Sequence, residues 1–206
     1  LLDLVAEIMG QAPRLAETLA RHPGLLDAVL DRDFFASLPG VGELAAELKS
    51  RLTQADDMQD VLDLARRFNN DALFRIGVQM LRGQADATSC GIATSAVVDA
   101  LIGELVPRVG EELAKAHGRV PGGRFAVLAL GKYGGRELTA ASDLDLVFVY
   151  DAGLAARSSD GARPLEGTRW FARVAQRVVH WLTTPAVMVP IRMAMNMAAK
   201  ASIRVP

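Results

Sequence analysis

Two aspartates, Asp143 and Asp145, stand a single residue apart at the head of an apolar run, "DLDLVFVY". Side chains alternate along a strand, so both carboxylates share one face, their Cα atoms roughly 7 Å apart at ~3.3 Å per residue. Leu144, Leu146, Phe148 and Tyr150 take the opposite face, and Val147 and Val149 follow the aspartates on theirs. That pattern predicts an inner strand, apolar on both faces beyond its first turn. Two carboxylates entering such a place repel each other and lose water, and a divalent cation is the common offset. Hard oxygen donors suit Mg2+, which takes one or two protein carboxylates and completes its shell from water and substrate phosphates.

The stretch before them supplies the complementary chemistry. Gly131, Gly134 and Gly135 let the backbone approach a ligand closely and adopt positive φ. Successive N–H groups in such a turn can cradle phosphate oxygens. Lys132 and Arg136 add positive charge, and Ser142 offers a hydroxyl just before the first aspartate. Phosphate donors on one loop and metal ligands on the next strand suit nucleotidyl transfer. Two ions about 3.5–4 Å apart would activate the attacking oxygen and stabilise the leaving pyrophosphate. Each part alone is a weak signal: most glycine turns only turn, and most isolated D-x-D pairs are solvated. The combination, in this order, carries the reading. Glu137 is weighed as a third ligand, but capping or pairing with a base is the favoured role.

These residues need a scaffold, and the pattern predicts a mainly helical one up to about residue 120. Leu1, Val5 and Ile8 share a face, as do Leu15 and Leu19, with Pro13 suited to the first turn of a second helix. Leu44, Leu48 and Leu52 continue the pattern; Val61, Leu64, Ala65, Phe68, Ala72 and Ile76 mark a long helix. Val98, Leu101, Leu105, Val109 and Leu113 mark another, which Pro107 should kink or split. After Pro121-Gly122-Gly123, "RFAVLALG" reads as a buried strand and "DLDLVFVY" as a second. Phe171, Val174, Ala175, Val178 and Leu182 then define a last amphipathic helix, with Trp170 and Trp181 as core. The fold class expected is α+β, mainly α.

Bulk properties narrow the classes. The chain has 206 residues, 50% hydrophobic and 23% charged, which suits a packed domain and not a disordered one. A net charge of −1 gives no basis for nonspecific nucleic-acid or membrane binding. Cys90 is single, so no intrachain disulfide forms, and a reducing cytoplasmic setting with a buried inert thiol is expected. No uncharged apolar run approaches the ~18 residues that span a bilayer. His22, His117 and His180 are scattered without metal-binding spacing.

With these residues in view, "ALGKYGGRELTAASDLDLVFVYD" closely resembles the signature of glutamine synthetase adenylyltransferases, bifunctional enzymes of nitrogen metabolism. The family pattern runs G-K-L-G-G-x-E-L-x-x-x-S-D-hydrophobic-D-L, and Tyr133 takes the place of the usual Leu. The likeness runs upstream through "LLDLVAEIMGQAPRLAETLARHPGLLDAVLD" and "ARRFNNDALFRIGVQML" and downstream through "WFARVAQRVVHWLTTP", about residues 1 to 185. The wording looks like the C-terminal, adenylylating copy of the two nucleotidyltransferase domains in such enzymes. The resemblance implies a helical region over 1–120 and a truncated DNA-polymerase-beta-like nucleotidyltransferase fold over 121–185. It implies Asp143 and Asp145 as catalytic metal ligands and Gly131, Lys132, Gly134, Gly135, Arg136 and Ser142 as the nucleotide-binding set. Mg2+ is the implied cofactor and ATP the substrate, with AMP passed to a tyrosine of glutamine synthetase. Glutamine synthetase is the implied protein partner, and the PII signalling protein a further one through the full-length enzyme; neither nucleic acid nor membrane is expected.

One departure stands out. Relatives follow the "QRVVHWLTTP" helix with a strand bearing a third acidic residue, in a pattern like Y-E-V-D-M-R-L-R-P-S-G. Here "AVMVPIRMAMNMAAKASIRVP" contains no Asp or Glu. Residues 186–206 are therefore expected to be an atypical tail, an out-of-frame or altered ending. Asp151, at the far end of the same strand, and Asp160, in a loop, are poorly placed as substitutes. Two further readings stay open: a catalytically incomplete fragment serving as a helical scaffold or protein-binding module, and a different nucleotidyltransferase such as one that uridylylates PII.

Overall fold

Local signals start and stop the helices before any long-range contact is made. Pro13 opens the second helix at its first position, and Asp57 caps the fifth by accepting from the Asp60 N–H at 2.9 Å. Glu43 accepts from the Gly40 N–H at 3.0 Å, the return half of a capping box. Asp86 caps the longest helix, accepting from the Ser89 N–H at 2.7 Å. In this computed structural model, which describes residues 1–139, 142–151 and 158–183, the elements are α1 (Leu2–Gln11), α2 (Pro13–Arg21), α3 (Leu25–Val29), a 3-10 turn (Arg32–Phe35), α4 (Val41–Leu52), α5 (Met58–Leu81), α6 (Ala87–His117), β1 (Phe125–Leu130), α7 (Gly131–Gly134), β2 (Asp145–Tyr150) and α8 (Gly167–Thr183). The described chain is α+β and mainly α, as expected. The tail 186–206 lies outside the described residues.

The chain divides into two compact units. The first is Leu1–Leu101 with Arg136–Ala141. In it α5 packs against α2, α3, α4 and the 3-10 turn. Its core gathers Leu4, Ile8, Leu19, Leu25, Phe34, Phe74 and Val78. The α1 stripe is therefore Leu4 and Ile8, while Leu1 of the expected Leu1–Val5–Ile8 face is exposed. Arg75 and Gln79, a turn apart on α5, both donate to the Phe34 carbonyl, at 2.9 and 2.7 Å, and pin the 3-10 turn to α5.

The second unit is Ile102–Gly135 with Ser142–Pro206. Here β1 and β2 pair antiparallel, Phe125 opposite Tyr150 and Leu130 opposite Asp145. One face of the pair presents Phe125, Phe148 and Tyr150; Phe171 of α8 stacks on Phe125 and Tyr150, with ring centroids 6.2 and 4.9 Å away. Trp170 meets Phe171 edge-on and donates to the Gly118 carbonyl at 2.9 Å, so this indole is core with its N–H satisfied. Trp181 is buried as well.

Two expectations change. The strand of the aspartates is not covered on both faces among the described residues. Leu144, Leu146, Phe148 and Tyr150 are buried, but Leu128 and Leu130 on the other face are 44% and 49% exposed. The reason is that the described sheet has two strands, and α8 packs its aromatics on one side of them. Nor does Pro107 split its helix, since α6 is assigned as one helix of 31 residues. Proline removes a single ladder bond, a small loss against a helix of that length. By length and composition alone α6 could cross a membrane, but 61% of its apolar window is buried inside the protein, as a core helix would be.

Candidate active site

Asp145 and the glycine turn are brought together within the second unit by the β1–β2 register. Leu130 ends β1 opposite Asp145, so the residue that follows, Gly131, lies beside the Asp145 side chain. The contact is close: a Cβ on Gly131 would stand 2.5 Å from Asp145 Oδ2. Gly131 also has φ +55, a left-handed conformation that an L side chain adopts at a cost. Glycine is required there twice over, by its backbone and by the carboxylate beside it.

The chain then coils. Gly131–Gly134 forms one helical turn, α7, closed by the Gly135 N–H to the Gly131 carbonyl at 3.0 Å. The N–H groups of such a turn's first residues have no acceptor inside it. Tyr133, where the motif likeness has Leu, is buried. Lys132 is exposed. Downstream, exposure alternates strictly: Ser142 buried, Asp143 exposed, Leu144 buried, Asp145 exposed, Leu146 buried. Asp143 and Asp145 therefore open to solvent on the same side, as the period of two requires.

Does this set fit Mg2+? Two solvent-facing carboxylates on one face of an extended segment match a cation that takes one or two protein carboxylates and keeps water or phosphate in its other positions. Among the described residues no cluster of three Asp, Glu, His or Cys side chains is assembled. Asp151 is paired with Arg124 at 3.4 Å, and Asp160 accepts from the Arg119 N–H at 2.7 Å. Both carboxylates have structural tasks of their own. Glu137 is exposed. His117 is tied into the loop after β2, its Nδ1 2.7 Å from the Arg163 carbonyl and its Nε2 3.1 Å from Arg173 Nη1.

Arg136, read from the motif as part of the nucleotide-binding set, has a protein partner in the fold. It belongs to the first unit, where its guanidinium forms an ion pair with Asp99 of α6. Its backbone has φ +61, the one left-handed non-glycine residue among those described. Nothing in the motif announces this; the partner lies 37 positions upstream.

What sequence and geometry define is a mainly helical α+β chain in which one of two neighbouring carboxylates is set against a glycine turn. The chain belongs to the glutamate-ammonia ligase adenylyltransferase family, whose sequence model matches residues 2–197. That match runs beyond residue 185, where the motif likeness was expected to stop. The chain is similar to the bifunctional glutamine synthetase adenylyltransferase/adenylyl-removing enzymes of Xanthobacter autotrophicus (46% identity), Rhodopseudomonas palustris (41%) and Brucella melitensis (38%). Each alignment covers 89–90% of this chain and 19% of the relative. The chain thus spans about a fifth of the length of the curated relatives it matches.

Proposed function

We propose that residues 121–185 form part of a polymerase-beta-like nucleotidyltransferase module that transfers AMP from ATP to a tyrosine of glutamine synthetase. In this reading residues 1–120 are the helical region beside the module, 186–206 an atypical tail, and the setting cytoplasmic regulation of nitrogen assimilation. PII would act through the longer enzyme. The observation that carries the reading is the contact of Asp145 with Gly131, which makes a carboxylate and a glycine turn one structural feature.

The roles follow from the chemistry of the groups. Asp143 and Asp145 would hold Mg2+, which when bound neutralises phosphate charge and acidifies the attacking hydroxyl. The N–H groups of Gly131 to Gly134 and the Lys132 ammonium would orient the triphosphate. Ser142, buried beside Asp143, would hold the approach to the strand in place. The tyrosine oxygen forms a bond to the α-phosphorus, the bond to the bridging oxygen breaks, and the electron pair leaves with pyrophosphate. The hydroxyl proton passes to solvent or a carboxylate.

The test is incubation of the chain with glutamine synthetase, Mg2+ and ATP labelled in its α-phosphate. Label on the acceptor, lost in Asp145→Asn, supports transfer. A second reading, a scaffold without catalysis, is favoured by the lack of any acidic residue over 186–206, where a third carboxylate is expected. ATP·Mg2+ binding without label transfer would support that one.

A further inference from the structure

The segment Arg136–Ala141 joins the glycine turn to the aspartates in the chain, yet it belongs to the first unit. Two contacts seat its first residues, Arg136 and Glu137, on α6. The Arg136 guanidinium pairs with Asp99, which is one-quarter exposed. Gly91, two turns earlier on the helix, lets the backbone of the segment lie directly on it: a Cβ there would stand 2.9 Å from the Arg136 carbonyl oxygen and 3.2 Å from the Glu137 Cα. Leu138 is 3% exposed and buries the segment's one large apolar side chain. Arg136 also holds φ +61, a conformation unfavourable for a β-carbon, which persists where surrounding contacts over-determine it.

We propose that Arg136 is a positioning residue: its ion pair with Asp99 anchors residues 136–139 to α6 and so fixes the chain as it leaves the glycine turn. The inference rests on the nucleotide-transfer reading for its functional consequence and on the structure for the anchoring itself.

Four chains separate the two: wild type, Asp99→Asn, Arg136→Gln, and the exchanged pair Asp99→Arg with Arg136→Asp. Aspartate tolerates the left-handed backbone better than most residues, so the exchanged pair keeps the geometry available. Amide hydrogen exchange over 136–139 should quicken about two- to fivefold in each single variant, the scale of a partly exposed ion pair, and recover in the exchanged pair. ATP·Mg2+ affinity, measured by titration, should weaken by the same factor in both single variants at unchanged Tm, and recover likewise. Direct phosphate contact by Arg136 gives the opposite result for Asp99→Asn, because releasing the guanidinium would tighten binding. Unchanged exchange in Asp99→Asn, or tighter ATP·Mg2+ binding, overturns the proposal. If the wild-type chain binds no ATP·Mg2+, the transfer reading fails while the exchange data still decide the anchoring.

Discussion

The Asp145 carboxylate lies against the α-carbon of Gly131, with no room between them for a methyl group. Leu130 and Asp145 are opposite one another at the end of the β1–β2 ladder, so the contact is set by strand pairing and not by nearness in the chain. It makes the candidate site sensitive to a single added carbon.

Gly131→Ala should therefore act on both stability and the site. The left-handed backbone alone costs about 1–2 kcal/mol with a β-carbon. The clash with Oδ2 then forces the carboxylate to move. Chemical denaturation should show that loss, and ATP·Mg2+ binding should weaken by more than the stability change explains. A variant of wild-type stability with wild-type binding would show that the close contact is incidental.

Asp143→Asn and Asp145→Asn should leave the fold intact, since both side chains face solvent. Under the proposed chemistry each should reduce ATP·Mg2+ binding by more than the ten- to hundredfold typical of losing an outer-shell partner of a metal. Circular dichroism and titration with ATP at fixed Mg2+ check the two halves. Equal binding in wild type and both variants would remove the aspartates from the site.

Asp86 caps α6, and the hydrogen bonds from Ser89, backbone first, hold its carboxyl below the ordinary carboxylate range. The folded-state value is depressed, so the cap's contribution is complete above the unfolded value of about 3.9 and fades as pH falls through the folded one. The Tm difference between wild type and Asp86→Ala should be constant near neutral pH and shrink in the acid range below about pH 4. A difference that stays constant into strong acid would mean the carboxylate charge is not what stabilises the helix.

Phe171→Ala removes the ring on which Phe125, Tyr150 and Trp170 all pack. The cost expected is about 3–5 kcal/mol, a large share of a typical ~5–15 kcal/mol total. Loss of near-ultraviolet dichroism together with a lower denaturation midpoint would register it. A drop well under 1 kcal/mol would mean that α8 does not depend on the sheet.

Cys90 offers a probe of α6. Burial, with the Asp86 charge adding to it, pushes its thiol above the ordinary range. Its reaction with a disulfide reagent at neutral pH should be far slower in the folded chain than in denaturant, because both the thiolate fraction and access are reduced. Equal rates would show that this end of α6 opens freely.

Much of this protein was legible in its residues because the rules involved are local. Helix stripes repeat every three or four positions, so α4, α5, α6 and α8 could be read directly, and a strand's period of two put Asp143 and Asp145 on one face. Caps and prolines act within a turn, yet Pro107 does not split α6: one missing hydrogen bond is little against a helix of 31 residues whose apolar side is buried. What tertiary structure alone decided depends on partners far along the chain. The antiparallel register chose which glycine meets Asp145. The pairing with Asp99 turned Arg136 from a free cation beside a glycine turn into half of an ion pair. The open face of β1 and β2 depends on which elements come to rest on the sheet, and an apolar run reads the same whether one side is covered or both. Periodicity states what a residue's own segment will do; only folding brings together groups that the chain keeps apart.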